Sequence, residues 1–537
     1  MTLFEVTDLA VTFHTGNRAR GRRVVQAVES ISFSVEAGQT AAIVGESGSG
    51  KSVSLLAATR LLDSRARVTG SVRFADRDLL SSPDRELRRI LGKDIGFVFQ
   101  DPQSNLHPFK SIGHQIDEVL RIHTGTGRRQ RRNRVEELLT EVGIPTDGYD
   151  SFPAEFSGGM RQRAMIAMAI ALNPSLIIAD EPTTALDVSV QAGILKLLKR
   201  LQREHGTAIL FVSHDLGVVH EIADTVTVVK DGRVVESGSR EQIYGDPQEP
   251  YTRALLSASK VHTVEVPPRD TIERSGQPLL TVRGLRKSYP TRIRRHRRTV
   301  VDGLDFTVDP GEIVGLVGES GSGKSTIGRI IAGLQYADAG EITLAGTRFP
   351  TGIADGVPPL SATSRRDVQL VFQDPYASLN PRRTIAGSLA EPLHAHRVDR
   401  DAVAARVSAA ADDARLPHVL LDRYPAELSG GQRQRAAIAR ALVLQPRLIV
   451  ADEALSSLDV TTQTEIISLV LQLVREHRTA FLFVTHDLGV VSSIAHRVIV
   501  LGPDGVEEIG ATSEVFAAPR SAYTRRLLDA IPRLKAS

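Results

Sequence analysis

Two lysines, Lys51 and Lys324, each hold the eighth place of the same nine-residue string, VGESGSGKS, at Val44–Ser52 and Val317–Ser325. The string has the form G-x-x-x-x-G-K-[ST]. Gly45, Gly50, Lys51 and Ser52 hold its fixed places in the first copy, and Gly318, Gly323, Lys324 and Ser325 in the second. Between them, Ser47, Gly48, Ser320 and Gly321 keep the loop small and polar. Residues of this kind bind phosphate. Without Cβ atoms in the way, backbone N–H groups converge on phosphate oxygens. The lysine would add a point charge, and the hydroxyl after it can ligate Mg²⁺. Two acidic pairs could complete the chemistry, Asp180–Glu181 in LIIADE and Asp452–Glu453 in LIVADE. One carboxylate can hold a metal while its neighbour polarises a water molecule.

These groups need elements to place them. The apolar run TAAIV before the first loop predicts a buried strand, and VSLLAATRLL after it predicts a helix. The helix N-terminus then turns its partial positive charge toward the phosphates. Four apolar residues before Asp180 predict a second buried parallel strand. Its C-terminal edge would deliver the carboxylates where ligands of such sheets bind.

The duplication extends along the chain. The two lysines lie 273 positions apart, as do Gln100 and Gln373 in the two VFQDP strings. A shift of 272 relates the SGG runs beginning at Ser157 and Ser429, the acidic pairs, and His214 and His486 in HDLGVV. This predicts two domains, 1–257 and 278–537, joined by a polar, proline-bearing linker at 258–277.

The ordered set of phosphate loop, glutamine, SGG, Asp-Glu pair and histidine resembles the nucleotide-binding domain of ATP-binding cassette (ABC) proteins. The resemblance covers nearly the whole chain, twice. It implies an α/β fold: two tandem P-loop NTPase (ABC ATPase) domains, each a nucleotide-binding core with a helical subdomain between glutamine and SGG. It also implies ATP and Mg²⁺ as cofactors. Ser52, Gln100 and Asp180, with Ser325, Gln373 and Asp452, would serve the metal. Glu181 and Glu453 would polarise the attacking water, helped by Gln100 and Gln373. His214 and His486 would contact the γ-phosphate. Phe13 and Tyr289 are candidates to stack on adenine, and Val53 and Thr326 close the two phosphate loops. In the family two domains meet head to tail, so Ser429, Gly430 and Gly431 would face Lys51. Ser157, Gly158 and Gly159 would face Lys324. Such sharing would give the duplication its purpose. Three positions depart from the commonest family form, namely Met160 in place of glutamine, Ala454 in place of proline and Val53 in place of threonine. None removes a catalytic group, so two hydrolysing sites are expected.

Composition narrows the remaining classes. Cysteine is absent, which excludes disulfides and thiolate metal sites. The start, MTLFEVTDLAVTF, does not read as a secretory signal. The apolar run IISLVLQLV is too short to span a bilayer. Charges nearly balance at +3. Two arginine clusters, Arg128–Arg134 and Arg292–Arg298, could suit nucleic acid or anionic lipid. They occupy non-equivalent places and lack interleaved aromatics, so they are read as solvated surface, and no nucleic-acid partner is expected.

Finer strings separate a transporter subunit from soluble tandem ABC proteins of translation or DNA repair. QDPQSNLHP and QDPYASLNP, with EPYTRALL and SAYTRRLL near the end of each repeat, resemble the dipeptide/oligopeptide/nickel importer group. The first half looks like its D-type and the second like its F-type ATPase. Membership implies two transmembrane permease subunits, an extracellular or periplasmic substrate-binding protein, and a peripheral place on the cytoplasmic face of the membrane. The resemblance favours peptides as cargo. A nickel complex, glutathione or a peptide antibiotic stay open.

Overall fold

A computed structural model describes residues 1–15, 23–63, 65–184, 186–260, 277–290, 297–349, 361–455, 458–503 and 505–531. In the first half the strands Thr2–Thr15, Arg23–Glu36 and Ala66–Phe74 pair antiparallel. Beside them Ile95–Val98, Leu176–Asp180, Ala208–Ser213, Thr40–Val44 and Thr225–Lys230 pair parallel in that order. Every residue of Thr40–Val44, Leu176–Asp180 and Ala208–Ser213 is buried. Continuous burial belongs to strands covered on both faces, which explains why these read as unbroken apolar runs.

Successive side chains leave a strand on opposite faces, and the two faces feed two cores. Ile43, Ile178 and Leu210 join Phe4, Leu9 and Ile31 of the antiparallel sheet. Ile177, Ile209 and Phe211 pack instead with the helices, against Leu198 and Val219 among others. The second half repeats the plan. Ile313–Gly318, Leu448–Asp452 and Ala480–Val484 form its parallel centre, again with one core on each side. The halves differ at one seam. In the first, Arg233 pairs with Ser30 and joins the two sheets into one of ten strands, whereas the second keeps sheets of four and six.

The expected helical subdomain is present between Gln100 and Ser157, built on Ile112–His123 and Arg128–Glu141. Ile385–Ala395 and Arg400–Asp413 are its counterparts. Ser111 and Thr384 cap the first helix of each pair by accepting from the N–H groups of His114 and Gly387. The arginine cluster at 128–134 opens its helix and is largely spent within the chain. Arg131 pairs with Asp117 at 2.7 Å, Arg132 lies over the Tyr149 ring, and Arg134 donates to Asn173. Of the second cluster only Arg297 and Arg298 are among the described residues. The last helix of the first half, Pro250–Lys260, enters the expected linker, of which 261–276 lie outside the described residues. Among the described residues no helix is long and apolar enough to cross a membrane.

Candidate functional site

Both phosphate loops run from a buried strand into a helix, Lys51–Ala58 in the first half and Lys324–Ile331 in the second. Gly50 and Gly323 cap these helices in the left-handed region, at φ 98° and 97°. A Cβ at either would stand 2.8 Å from a backbone oxygen, that of Ala27 or Val300. Glycine is therefore required there for conformation and for space. Lys51 Nζ donates to the Gly45 and Glu46 carbonyls, both at 2.8 Å, and Lys324 Nζ to those of Gly318 and Glu319 at 2.6 and 2.9 Å. Burial lowers the pKa of each lysine, against nearby carboxylates that raise it. Ser47, Gly48, Ser320 and Gly321 remain exposed on the rim.

Ser52 Oγ donates to Asp180 Oδ1 at 3.0 Å, and Ser325 Oγ to Asp452 Oδ1 at 2.8 Å. Burial, reinforced by the charge of Glu181, pushes the Asp180 pKa up to about 6 despite the Ser52 bond. Asp452 is raised for the same reasons. A hydroxyl beside a carboxylate is a hard-oxygen pair of the sort Mg²⁺ takes alongside its waters. A carboxylate whose ionisation is disfavoured by burial gains most from a cation, so the residues fit the metal.

Immediately after each of these aspartates the backbone turns. Glu181 and Glu453 adopt positive φ, 45° and 50°. Their N–H groups nevertheless stay bonded to the neighbouring strand, at the Val212 and Val484 carbonyls. Such a conformation costs a non-glycine residue about 1–3 kcal/mol and persists where its surroundings enforce it. Here it accompanies a cluster of partners around each carboxylate. Gln100 Nε2 donates to Glu181 Oε2 at 2.9 Å, Thr184 Oγ1 donates to the same oxygen at 2.9 Å, and His214 Nδ1 lies 3.2 Å from Oε1. In the second half Gln373 donates to Glu453 at 2.7 Å, and His486 Nδ1 stands 3.5 Å away. Burial alone would raise the glutamates and lower the histidines. The bond and charge between each Glu and His outweigh it, holding the glutamates down and the histidines up.

The two aromatic candidates are held differently. Phe13, Val53 and Leu62 are half-buried and pack against one apolar core. At the equivalent places stand Tyr289, Thr326 and Gln335. There Gln335 Nε2 donates to the Tyr289 hydroxyl at 2.5 Å, and that hydroxyl lies 3.2 Å from Thr326 Oγ1. All three positions switch together from apolar to hydrogen-bonding. Val53 thus belongs to a coherent exchange rather than an isolated loss of threonine.

Ser157 and Ser429 cap the helices Gly158–Ile170 and Gly430–Leu442, each accepting from the N–H three residues on. Gln432 returns a bond to the Ser429 N–H at 3.0 Å, an interaction that Met160 cannot make. Ser157, Gly158, Ser429 and Gly430 are exposed, while Gly159 and Gly431 are more enclosed. Among the described residues, neither capping serine is hydrogen-bonded to a phosphate loop. Among the described residues, Pro250–Lys260 of the first half packs on Val460–His477 of the second, and side-chain hydrogen bonds cross from the start of the helices following the Asp-Glu strands. Thr461 reaches Glu46, and Ser189 reaches Glu319. Asp459 and Asp187 add their charge to Lys51 and Lys324 of the opposite half.

Sequence reasoning passed over Thr184, Gln335, Glu46, Glu319, Tyr251 and Tyr523. The last four repeat at the same 273 and 272 offsets as the recognised residues, a signal that was readable. Thr184 and Gln335 carry no such signal, because their partners are fixed only by folding.

A profile of the family described as "ABC transporter" matches residues 28–184 and 301–456. The family described as "Oligopeptide/dipeptide transporter, C-terminal region" matches 235–282 and 507–537. The glutathione import ATP-binding protein GsiA of Pectobacterium atrosepticum is 43% identical over 564 residues, covering 98% of this chain and 89% of that protein. GsiA of Salmonella typhimurium is 42% identical, covering 99% and 89%. GsiA of Escherichia coli K12 is 44% identical over 549 residues, covering 95% and 87%.

Proposed function

This chain belongs to the ABC transporter family, in its peptide-type branch with two cassettes in one polypeptide, and on that premise we propose how it works. It is the ATPase subunit of an importer and acts with membrane permeases. In our reading each cassette contributes half of two ATP sites. Lys51 and Lys324 turn from the loop carbonyls to phosphate oxygens when nucleotide enters. Ser52 with Asp180, and Ser325 with Asp452, would hold Mg²⁺, with Gln100 and Gln373 beside them. Mg²⁺, when bound, supplies charge neutralisation at the phosphate oxygens. Glu181 and Glu453 polarise the attacking water, and His214 and His486 hold the γ-phosphate side of the site. The SGG residues of the opposite cassette close each site, while Phe13 and Tyr289 carry adenine. Residues 1–257 and 278–537 are taken as the two cassettes.

The carrying observation is the double occurrence of one constellation. In each cassette a strained glutamate is gripped by glutamine and histidine next to a bonded Ser–Asp pair. ATP closure of the shared interface would then bias the permeases between two access states. Two permeases, an external substrate-binding protein and a position on the cytoplasmic face of the membrane complete the assembly. The relatives are named for glutathione, itself a tripeptide, which agrees with peptides as the cargo class.

The test is purification of a Glu181→Gln/Glu453→Gln chain from gently solubilised native cells with ATP, followed by mass spectrometry. Co-purification of two polytopic membrane proteins is the expected result. Recovery of ribosomes or repair proteins without a permease would overturn the importer assembly.

A further inference from the structure

Each phosphate loop carries a residue that phosphate binding does not ask for. Glu46 and Glu319 place a carboxylate in a loop whose task is to attract anions, where like charge is unfavourable. Both carboxylates are directed to the other cassette. Thr461 Oγ1 donates to Glu46 Oε1 at 2.8 Å, and Ser189 Oγ donates to Glu319 Oε1 at 2.5 Å. Thr461 and Ser189 are equivalent residues in the first turns of Val460–His477 and Val188–His205. A carboxylate at a helix N-terminus also gains from the helix dipole.

The backbone of the same glutamate is held from its own side. Its carbonyl accepts from the loop lysine. Its N–H donates to a tyrosine hydroxyl, Glu46 to Tyr251 and Glu319 to Tyr523, both at 3.4 Å, long for such a bond but equal in the two cassettes. These tyrosines come from the EPYTRALL and SAYTRRLL strings near the end of each repeat. Burial, with the nearby glutamate adding, pushes both hydroxyls up to about 12, so they stay neutral.

We propose that Glu46 and Glu319 are positioning residues that join each phosphate loop to the opposite cassette through Thr461 and Ser189, with Tyr251 and Tyr523 fixing the near side of the joint. The inference rests on the reading that the cassettes share their ATP sites, and it adds what keeps them in register. A linker fixes only the separation of two bodies, whereas two bonded joints related by the internal repeat also fix their relative rotation. The joint touches no reacting atom, so its loss weakens nucleotide binding and leaves the chemical step nearly intact.

The full chain lacks cysteine, so a pair of spin labels can be placed cleanly. Lys196→Cys and Asp529→Cys stand on opposite cassettes, across a cleft of about 940 Å³ near the Ser189–Glu319 joint. In that background Ser189→Ala and Glu319→Ala should each broaden the label distance distribution. The double variant should broaden it no further, and Ser189→Thr and Glu319→Gln should restore it. In unlabelled chain the alanine variants should raise the KM for ATP about tenfold, with kcat within about twofold, the scale of one charge-assisted bond. Unchanged distances, additive effects or no rescue would overturn the joint. Absent hydrolysis by the wild-type chain would instead strike the ATPase reading, and the distances would still decide the joint.

Discussion

Ser52 Oγ donates to Asp180 Oδ1 at 3.0 Å, although 128 positions separate them in the chain. The bond links the first residue after the loop lysine to the end of a different strand, at the place proposed for the cation. Because burial has pushed Asp180 up to about 6, protonation competes with the metal in an unusual range. Mg²⁺ affinity at this site should fall as pH drops through about 6, whereas a solvent-exposed aspartate would hold its charge to about 3.9. Asp180→Asn should raise the Mg²⁺ required for nucleotide binding about tenfold to hundredfold and abolish that pH dependence. Titration of Mg²⁺ against a fluorescent nucleotide measures both.

Glu181→Gln and Glu453→Gln remove the carboxylate proposed to polarise water and leave the phosphate loop alone. Each should slow hydrolysis about a hundredfold or more at its own site while ATP still binds, as general-base losses do. Single-turnover hydrolysis beside equilibrium binding tests this, and wild-type turnover in the double variant would refute the assignment.

His214 offers a direct check on the sign of the electrostatics. Its pKa is raised because Glu181 overcomes burial. The histidine's share of this stability is therefore present below its ordinary value, about 6.5, and is lost as pH rises through the higher folded value, while the share of Glu181, whose pKa is lowered, is lost as pH falls through that lowered value. In Glu181→Gln the burial remains and the largest opposing influence is lost, with Asp215 alone still raising the ring, so the His214 pKa should fall from its wild-type value. Site-resolved NMR of labelled histidine reads both values.

The proposed sharing of sites predicts an asymmetric injury. Ser429→Arg should damage nucleotide capture at Lys51 more than at Lys324, and Ser157→Arg the reverse. Photolabelling with azido-ATP, followed by cleavage between the cassettes at 258–277, assigns the label to one half. Equal loss in both halves would disprove the pairing.

At Tyr289 the hydroxyl bonds to Gln335 and Thr326 fix the ring, whereas apolar packing fixes Phe13. Tyr289→Phe and Gln335→Leu should each weaken nucleotide affinity at the second site about twofold to fivefold, and together no more than either alone. Calorimetry on a chain whose first site is disabled by Lys51→Ala isolates the effect.

The duplicated architecture, the strand–loop–helix at each lysine, the strands ending in Asp180 and Asp452, and the chemistry these residues could share were all legible along the chain. Those are local properties. Glycine tolerance, apolar runs and the order of motifs are written in neighbouring residues, and a second copy at a constant offset shows which positions travel together. Tertiary structure decided the rest. Only folding turns Glu181 and Glu453 into the left-handed region, seats Thr184 on one of those carboxylates, and brings Gln335 to the Tyr289 hydroxyl. Only the meeting of the two cassettes gives the phosphate-loop glutamates hydroxyl partners on the opposite half. Such contacts depend on three-dimensional closure between residues tens to hundreds of positions apart, which no local pattern encodes.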